Sequence, residues 1–498
     1  MVKTVDNIKY GGKWKFLNND MEFNGELIIN DSEGVIRLVI YYVDKDMFDL
    51  FAKNVIPETS KIINGTLTNS AKISLLDCSV RKRRSHNIAY NTIIIDAKYA
   101  VYGMNFANES EAVFYKIDFK VSNIIGWSNL SGFDFPFLEG FSSAITYKFK
   151  GNVEYKINEE VTVSLLPRLG NLNLDCNVEN ITFSQSVLIS ISHANPQRIE
   201  KSVEILNKVL GLISLGIGER PDILKVEGYN SANYYLAGKN NTKIEQAMQI
   251  FFDNKYKEKY KESDIFYYLF TLSDLTTGEE NLLTNWFSKH ELLEPIIELY
   301  LSTLNYSNMS IERHFLTLVQ ALETYHMRFV CNKLPQYLER IEKITGKLPD
   351  KEQYLNELND ETQRSQDYIL IKSRLIDLII VEFKIWFYFG SRNEQFDFIK
   401  KVVDTRHYHT HYAINKKDKA LTGIELEEAC CVLQLILEYY LLTEIGLSFE
   451  HIQKKIKNKE ANIRHAFDIT RKSMSIDMDN NNKCDINIKG ADVLSASE

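Results

Sequence analysis

The sequence predicts an α+β protein with a β-rich N-terminal domain followed by an all-α helical bundle. Short runs rich in Val, Ile, Tyr and Phe, separated by Gly, Asn and Ser, are typical of strands and fill residues 1–190. Longer segments with apolar residues at helical spacing follow residue 242. The 498 residues exceed one ordinary domain, so two or three domains are expected.

The β-rich domain is expected to span residues 1–235. Its apolar runs predict strands over 25–43, 72–80 and 112–121, arranged as antiparallel sheets in a sandwich or an open barrel. Between residues 185 and 226 the period changes, and a strand, a helix and a second strand follow one another. We expect this helix to pack on the sheet.

The remaining chain is predicted to have three parts. Residues 236–305 form a helical connector that begins with a helix near 242–260, and residues 306–470 form the helical bundle. Residues 471–498 are polar and predict a disordered tail.

Capping residues and charge divide the bundle further. Ser310 is suited to cap its first helix and Gly446 to end its last long one. The highly charged segment 332–366 is expected to leave the core as a surface excursion. Helices are expected near 311–328, 367–389, 394–403, 406–414 and 424–445.

Charge and cysteine usage restrict the class of protein. A net charge of −8 argues against a general nucleic-acid coat, but a small basic cleft on an acidic body can still bind RNA. The six cysteines form no CxxC pair, which favours a reducing cytoplasm over a disulfide framework. The N-terminus has no apolar signal segment, and charged residues interrupt the longest apolar stretches. We therefore expect a cytoplasmic protein that does not bind membranes.

The segment DTRHYHTHY, residues 404–412, contains the strongest candidate site. Arg406 offers a permanent planar charge suited to a phosphate oxygen, and His411 can transfer a proton near neutral pH. These are the two groups that cleavage of RNA by its own 2′-hydroxyl requires. Asp404 and Thr405 can cap a helix, so the motif is expected to open one.

Two other interpretations of this segment remain open. His407 and His411 have the i, i+4 spacing of a metal site, but no carboxylate pattern completes a zinc motif. The histidines could also be ordinary surface residues at a helix start. Elsewhere, the glycines near residues 211–218 lack the order of a dinucleotide site. The sequence therefore predicts neither a metal nor a cofactor.

The same spacing occurs a second time, at Arg81 and His86 in RKRRSH. This match follows a predicted strand and is expected in a basic loop, which is the wrong setting for a helical motif. Solvated charge explains it better, with contact to RNA or another polyanion as the alternative.

The chain resembles the HEPN superfamily, whose signature is Arg, a polar residue, three residues and His. Here that signature is Arg406, His407, three residues and His411. Within the superfamily the chain is most similar to ApeA-like proteins of bacterial anti-phage defence. The similarity covers most of residues 9–450. Its further segments are IERHFLTLVQALETYHMR at 311–328, GGKWKF near 11, INGTLTNSAKISLLDC at 63–78 and IIGWSNLSGF at 124–133. His407 stands where Asn is commoner, which leaves its role open.

The resemblance implies a metal-independent endoribonuclease. Arg406 would hold the scissile phosphate and His411 would act as general base or acid, leaving a 2′,3′-cyclic phosphate and a 5′-hydroxyl. His407 and His409 are candidates for a second proton-transfer group, while Asp404 and Glu323 are candidates for supporting roles. The phenotype implied is abortive infection by a toxin. The alternative is a catalytically silent HEPN module that binds or senses a phage component.

The partners expected are an RNA substrate, with tRNA as one candidate, an unidentified phage trigger and a second copy of the chain. In an ideal helix, residues five apart point about 140° from each other. Arg406 and His411 of one chain therefore do not easily meet at one phosphate. A twofold homodimer through the bundle, the commonest kind of oligomer, would combine the two motifs in one cleft.

Overall fold

The computed structural model describes residues 8–17, 19–30, 35–42, 56–86, 90–134, 146–170, 173–174, 181–182, 184–238, 241–252, 264–276, 282–304, 309–331, 336–337, 339, 352, 369–381, 389–412 and 414–491. The chain divides into two compact units. The first comprises Met1–Ile213 and Pro221–Ser273, and the second comprises Ser214–Arg220 and Asp274–Glu498.

The first unit is built from antiparallel strands. In chain order the strands are β1 Ile8–Phe16, β2 Glu22–Asn30, β3 Val35–Tyr42, β4 Thr59–Leu67, β5 Lys72–His86, β6 Tyr90–Tyr102, β7 Phe114–Val121, β8 Phe133–Asp134, β9 Thr146–Tyr147, β10 Val153–Lys156, β11 Val161–Leu169, β12 Asn173–Leu174, β13 Ile181–Thr182, β14 Gln185–Gln197, β15 Ile223–Tyr229, β16 Tyr234–Ala237, β17 Thr242–Glu245 and β18 Met248–Phe252.

A closed barrel forms the first half of this unit. The main sheet runs in the order β10-β11-β14-β7-β15-β18-β6-β3-β2-β1-β4-β5. Strand β5 also pairs with β6, from Ile73 opposite Tyr102 to His86 opposite Tyr90, which closes a ring of β1 to β6. Closure removes the sheet edge that an open barrel leaves unpaired. The expectation of a sandwich or an open barrel is therefore corrected to a closed one.

Trp14 fills the middle of the barrel. Its side chain is fully buried among apolar residues of all six strands. On the paired strand, Gly65 lies directly opposite Trp14, and a Cβ at Gly65 would stand 2.4 Å from Trp14 Cζ3. Only a residue without a side chain leaves room for the indole there.

The segment between residues 185 and 252 confirms one prediction and corrects another. The predicted strand, helix and strand appear as β14, a helix at Ile199–Ile217 and β15, and His193 of β14 contacts Ser202 of that helix at 2.8 Å. Residues 242–252, predicted to begin a helix, instead form β17 and β18. Strand β18 pairs with Tyr99–Tyr102 of β6, and this pairing overrides the helical spacing of its apolar residues.

Helices dominate the second unit. Numbered in chain order over both units, the helices of the described residues are α1 Ile124–Ser128, α2 Ile199–Ile217, α3 Leu272–Thr276, α4 Leu283–Leu304, α5 Ile311–Tyr325, α6 Ile371–Ile376, α7 Arg392–His411, α8 Gly423–Ile445 and α9 Phe449–Ala491. The first two of them lie mainly in the first unit. Single π-helical turns at His326–Val330 and Asp377–Val381 extend α5 and α6, and 3₁₀ turns lie at Ile265–Tyr267 and Ile414–Lys419.

The predicted ends of the bundle helices are confirmed where local chemistry sets them. The Ser310 hydroxyl accepts a hydrogen bond from the Arg313 amide at the start of α5, and Gly446 ends α8 with a left-handed φ of 97°. Helix α9 continues through Ala491, so the prediction of a disordered tail is wrong for 471–491, while 492–498 lie outside the described residues. Most of the predicted excursion at 332–366 also lies outside them.

A buried polar network joins the two π-helical turns. His326 Nε2 lies 2.9 Å from Asp377 Oδ2, and Arg374 Nη1 lies 3.1 Å from His326 Nδ1. The Arg374 guanidinium also donates to the carbonyl oxygens of Ile369 and Cys331. All three side chains of the network are at most 1% exposed. Buried charges of this kind are tolerated because they are paired and hydrogen-bonded.

Candidate active site

The DTRHYHTHY segment lies at the carboxyl end of helix α7, which corrects the expectation that it opens a helix. Helix α7 runs without interruption from Arg392 to His411, so the two helices predicted at 394–403 and 406–414 are one. The negative end of the helix dipole therefore lies beside the motif, and it favours positive charge there.

The helix begins earlier than predicted because Ser391 caps it and Glu394 binds the residue before the cap. The Ser391 hydroxyl accepts a hydrogen bond from the Glu394 amide at 3.3 Å, and the Glu394 carboxylate accepts one from the Gly390 amide at 3.0 Å. Asp404 and Thr405 are then interior and buried. Neither can cap the helix at that position.

Arg406 is oriented by a carboxylate from a neighbouring helix. Its Nη2 donates a hydrogen bond to Glu323 Oε2 on α5 at 2.9 Å, across 83 residues of sequence. The Arg406 side chain is 28% exposed and that of Glu323 15%. The pair is therefore open to solvent on the arginine side. Glu323, predicted as a supporting residue, is in direct contact with Arg406.

Asp404 and Thr405 hold the segment that follows the motif. Asp404 accepts a 2.5 Å hydrogen bond from Lys416 Nζ, on the 3₁₀ turn Ile414–Lys419. The Thr405 hydroxyl donates to the Lys401 carbonyl at 2.6 Å and accepts from the Leu421 amide at 2.9 Å. These bonds fix the lysine-rich turn next to the end of α7.

His407 and His411 share one face of α7, as their i, i+4 spacing requires. Their ring centroids are 6.5 Å apart, His407 is half-buried and His411 is exposed. Burial lowers the pKa of His407, and the positive charges of Lys416 and Arg406 lower it further against the opposing effect of Asp404. His407 is thus held in the neutral form that can accept a proton.

His409 faces a different neighbour. Its ring meets Tyr408 edge-on at a centroid distance of 5.0 Å. Its Nε2 atom is buried and has no hydrogen-bond partner among the described residues. On an α-helix, residues two apart point about 160° from each other, so His409 lies on a different face of α7 from His407 and His411.

Two family models match adjoining parts of the chain. The model of ApeA N-terminal domain 1 matches residues 9–286, and the model of Apea-like HEPN matches residues 316–451. The chain belongs to the ApeA-like HEPN family. Comparison with curated proteins and with solved structures gives no match.

Membership of the ApeA-like HEPN family places the chain among anti-phage defence proteins. HEPN domains are generally ribonucleases, bind RNA and often dimerise. The resemblance drawn from the sequence is thereby confirmed, together with the fold class of a β-rich region followed by a HEPN helical region. The matched HEPN segment contains Glu323, Arg406 and His411.

Sequence reasoning missed the residues that follow the HEPN motif. Lys416 contacts Asp404 and influences His407, and Lys417 and Lys419 are exposed on the same 3₁₀ turn. Tyr412 is exposed beside His411. The run INKKDK directly after the motif was the signal that could have identified a basic surface there.

The second Arg-x4-His match lies in the other unit of the HEPN protein. Arg81 and the backbone of His86 belong to strand β5, so the expected basic loop is wrong. Arg81 is exposed and its Nη1 lies 3.3 Å from Asp96 Oδ2 on β6. Arg81 therefore forms an ion pair on the surface of the barrel.

The described parts of the chain contain no group of three or more His, Cys, Asp or Glu side chains placed to hold a metal ion. Within the same residues, no helix combines the length and apolar character that crossing a bilayer demands.

Proposed function

We propose that this ApeA-like HEPN protein is a metal-independent endoribonuclease whose site is the carboxyl end of α7. The observation that carries the proposal is the Arg406–Glu323 pair, which holds a solvent-accessible guanidinium on the same helix as the exposed His411. A fixed cation and a mobile proton carrier are what an attack by the RNA 2′-hydroxyl needs.

The reaction breaks one P–O bond and forms another. The 2′-oxygen attacks the adjacent phosphorus while a base removes its proton, and an acid protonates the departing 5′-oxygen. Arg406 binds the phosphate oxygens and stabilises the extra negative charge of the transition state. The products are a 2′,3′-cyclic phosphate and a 5′-hydroxyl.

His407 and His411 divide the two proton transfers. The lowered pKa of His407 suits it to accept the proton of the 2′-hydroxyl, and the exposed His411 then protonates the leaving oxygen. With their ring centroids 6.5 Å apart on one helix face, the two imidazoles can reach different oxygens of the same phosphodiester. His409 is less suited, because its Nε2 is buried.

The site is completed by a second copy of the chain. Because α7 is continuous through His411, side chains five residues apart diverge by about 140°. Arg406 turns towards Glu323 of α5, so it shares a phosphate more easily with His411 of a partner subunit. We therefore propose a homodimer through the helical bundle, with the two motifs facing each other.

The biological role proposed is that of a cytoplasmic defence toxin. Cleavage of cellular RNA, with tRNA as one candidate, stops growth before phage is released. The β-rich domain acts as the sensor of the phage trigger or selects the substrate.

Sequencing of RNA ends after induced expression tests the proposal. Wild-type protein should generate new 5′-hydroxyl ends, and His411→Ala, produced at the same level, should not. Purified protein should cut RNA in excess EDTA, and a single 2′-deoxy sugar at the cut position should block cleavage there. Loss of activity with EDTA, or normal cutting at the deoxy site, would favour the metal-dependent interpretation instead.

Subunit exchange tests the shared site. Arg406→Ala and His411→Ala proteins should each have little activity alone, and a mixed dimer that contains one intact composite site should regain part of it. A strictly monomeric wild-type protein with full nuclease activity would disprove the composite site.

A further inference from the structure

Two large apolar side chains stand in solvent directly after the motif. Tyr412 is 71% exposed and Ile414 is 87% exposed. They are the most exposed large hydrophobic residues that the structure describes in the second unit. Single exposed apolar residues are common on proteins, but here two of them border the proposed active site.

The backbone at Tyr412 is unusual for a tyrosine. It has a left-handed conformation, with φ 48° and ψ 38°, and its amide donates a 2.6 Å hydrogen bond to the Tyr408 carbonyl. Glycine is the usual residue at this position after a helix, because a bulky side chain is disfavoured there. The ring of Tyr408 meets the Tyr412 ring edge-on at 5.9 Å, which leaves a face of Tyr412 towards solvent. The chain thus keeps an aromatic ring where glycine would cost less.

Lysines predominate on the turn that follows this ring. In the 3₁₀ turn Ile414–Lys419, Lys417 and Lys419 are exposed, with Asp418 as the single acid between them. Lys416 is already paired with Asp404, which anchors the turn. An exposed aromatic ring followed in the chain by exposed lysines is a combination that binds single-stranded nucleic acid, through base stacking and phosphate contacts.

We propose that Tyr412 is the base-stacking platform of the ribonuclease site, on which an unpaired nucleobase next to the scissile phosphate rests. Lys417 and Lys419 then bind the neighbouring phosphates. This inference rests on the proposed ribonuclease function and makes Tyr412 a residue that selects unpaired nucleotides. Both faces of a base inside a duplex are already covered, so the ring cannot stack on it.

Fluorescence titration tests the platform in a His411→Ala background, which should bind RNA without cutting it. The probe is a single-stranded RNA oligonucleotide with one 2-aminopurine. Adding Tyr412→Ala or Tyr412→Gly should raise the Kd for the probe about 5- to 140-fold, the range expected for the loss of one stacked base. Tyr412→Phe should retain both the Kd and the change in fluorescence. Tyr412→Gly should also leave the Tm unchanged or raised, which separates the ring from a structural role.

Tyr267→Ala is the matched control, because Tyr267 is 64% exposed and lies in the other unit. It should bind the probe as tightly as the parent. An unchanged Kd for Tyr412→Ala would overturn the proposal that Tyr412 is a stacking platform. If Tyr412→Ala changes the solution mass but not the RNA affinity, the proposal is also overturned, and the ring belongs to an interface between copies of the chain. Tyr412-dependent binding of RNA that the wild-type protein leaves uncut would support the platform and refute the proposed ribonuclease.

Discussion

Two clusters in the helical unit combine an arginine, a histidine and a carboxylate, and they differ in burial. Arg374, His326 and Asp377 are at most 1% exposed. Arg406 and Glu323 are partly open to solvent, and His411 is exposed. The same three chemical groups therefore occur once as a buried, fully bonded network and once with only Arg406 and Glu323 in direct contact.

Burial limits what the first cluster can do. Arg374 has no acceptor atoms, so the His326 Nδ1 that it approaches must carry a lone pair, and Nε2 donates its hydrogen to Asp377. Both ring nitrogens are therefore occupied, and no proton can leave without breaking a buried bond. In the second cluster, the only partner of the Arg406 guanidinium among the described residues is Glu323, so its other N–H groups can bind a phosphate. The difference separates a structural network from a reactive site.

The largest expected effect is on catalysis at the exposed cluster. His411→Ala should lower the cleavage rate about 10²- to 10⁴-fold, the usual contribution of a positioned proton-transfer group. Arg406→Ala should lower it about 10²- to 10³-fold, as expected when one group that stabilises transition-state charge is removed. Stability should change by less than about 1 kcal/mol, because a partly exposed ion pair contributes little. Cleavage assays and urea unfolding measure the two effects. A soluble His411→Ala protein that still protects cells fully from phage would contradict the assignment.

The buried cluster should respond in the opposite way. Arg374→Ala leaves His326 and Asp377 without their buried partner and should lower the free energy of unfolding by about 3–5 kcal/mol. Urea unfolding measures this loss beside Arg406→Ala as the exposed control. A fully stable Arg374→Ala protein would show that the two clusters do not differ as their burial implies.

A smaller effect is expected at Glu323. Glu323→Gln keeps an oxygen that can accept from Arg406 but removes the charge, and should reduce the cleavage rate about tenfold, which equals about 1.4 kcal/mol. Glu323→Ala should be slower still, and Glu312→Gln on the same helix is the control. The single-turnover rate is the measurement. Equal rates for wild type and Glu323→Ala would show that Arg406 needs no orienting partner.

The smallest effect is a shift in pH dependence. If His407 accepts the proton, the rate should fall as the pH drops below the lowered pKa of that ring, which lies under the ordinary value of about 6.5. Lys416→Gln removes a positive charge that lowers this pKa and leaves Asp404 unpaired, and both changes raise it. The acidic limb of the rate profile should therefore move to higher pH, while Lys417→Gln leaves it in place. An unmoved limb would assign it to a group other than His407.

The sequence by itself determined the features that depend on neighbouring residues. Short runs rich in Val, Ile, Tyr and Phe indicated a β-rich half, and helical spacing indicated the bundle. The caps at Ser310 and Gly446 followed from hydroxyl chemistry and from the tolerance of glycine for positive φ. The motif supplied the residue types of the site, although the catalytic roles of Arg406 and His411 stay predictions.

Only the tertiary structure decided which distant segments meet. Pairing of β5 with β6 closed the barrel, and pairing with β6 turned residues 248–252 into a strand. Helix α7 continues unbroken from Arg392 to His411, which puts the motif at its end instead of its start, and helix packing brought Glu323 to Arg406 across 83 residues. Local periodicity reports which face of an element is apolar but not which partner covers that face, so contacts between distant segments become known only when the chain is packed.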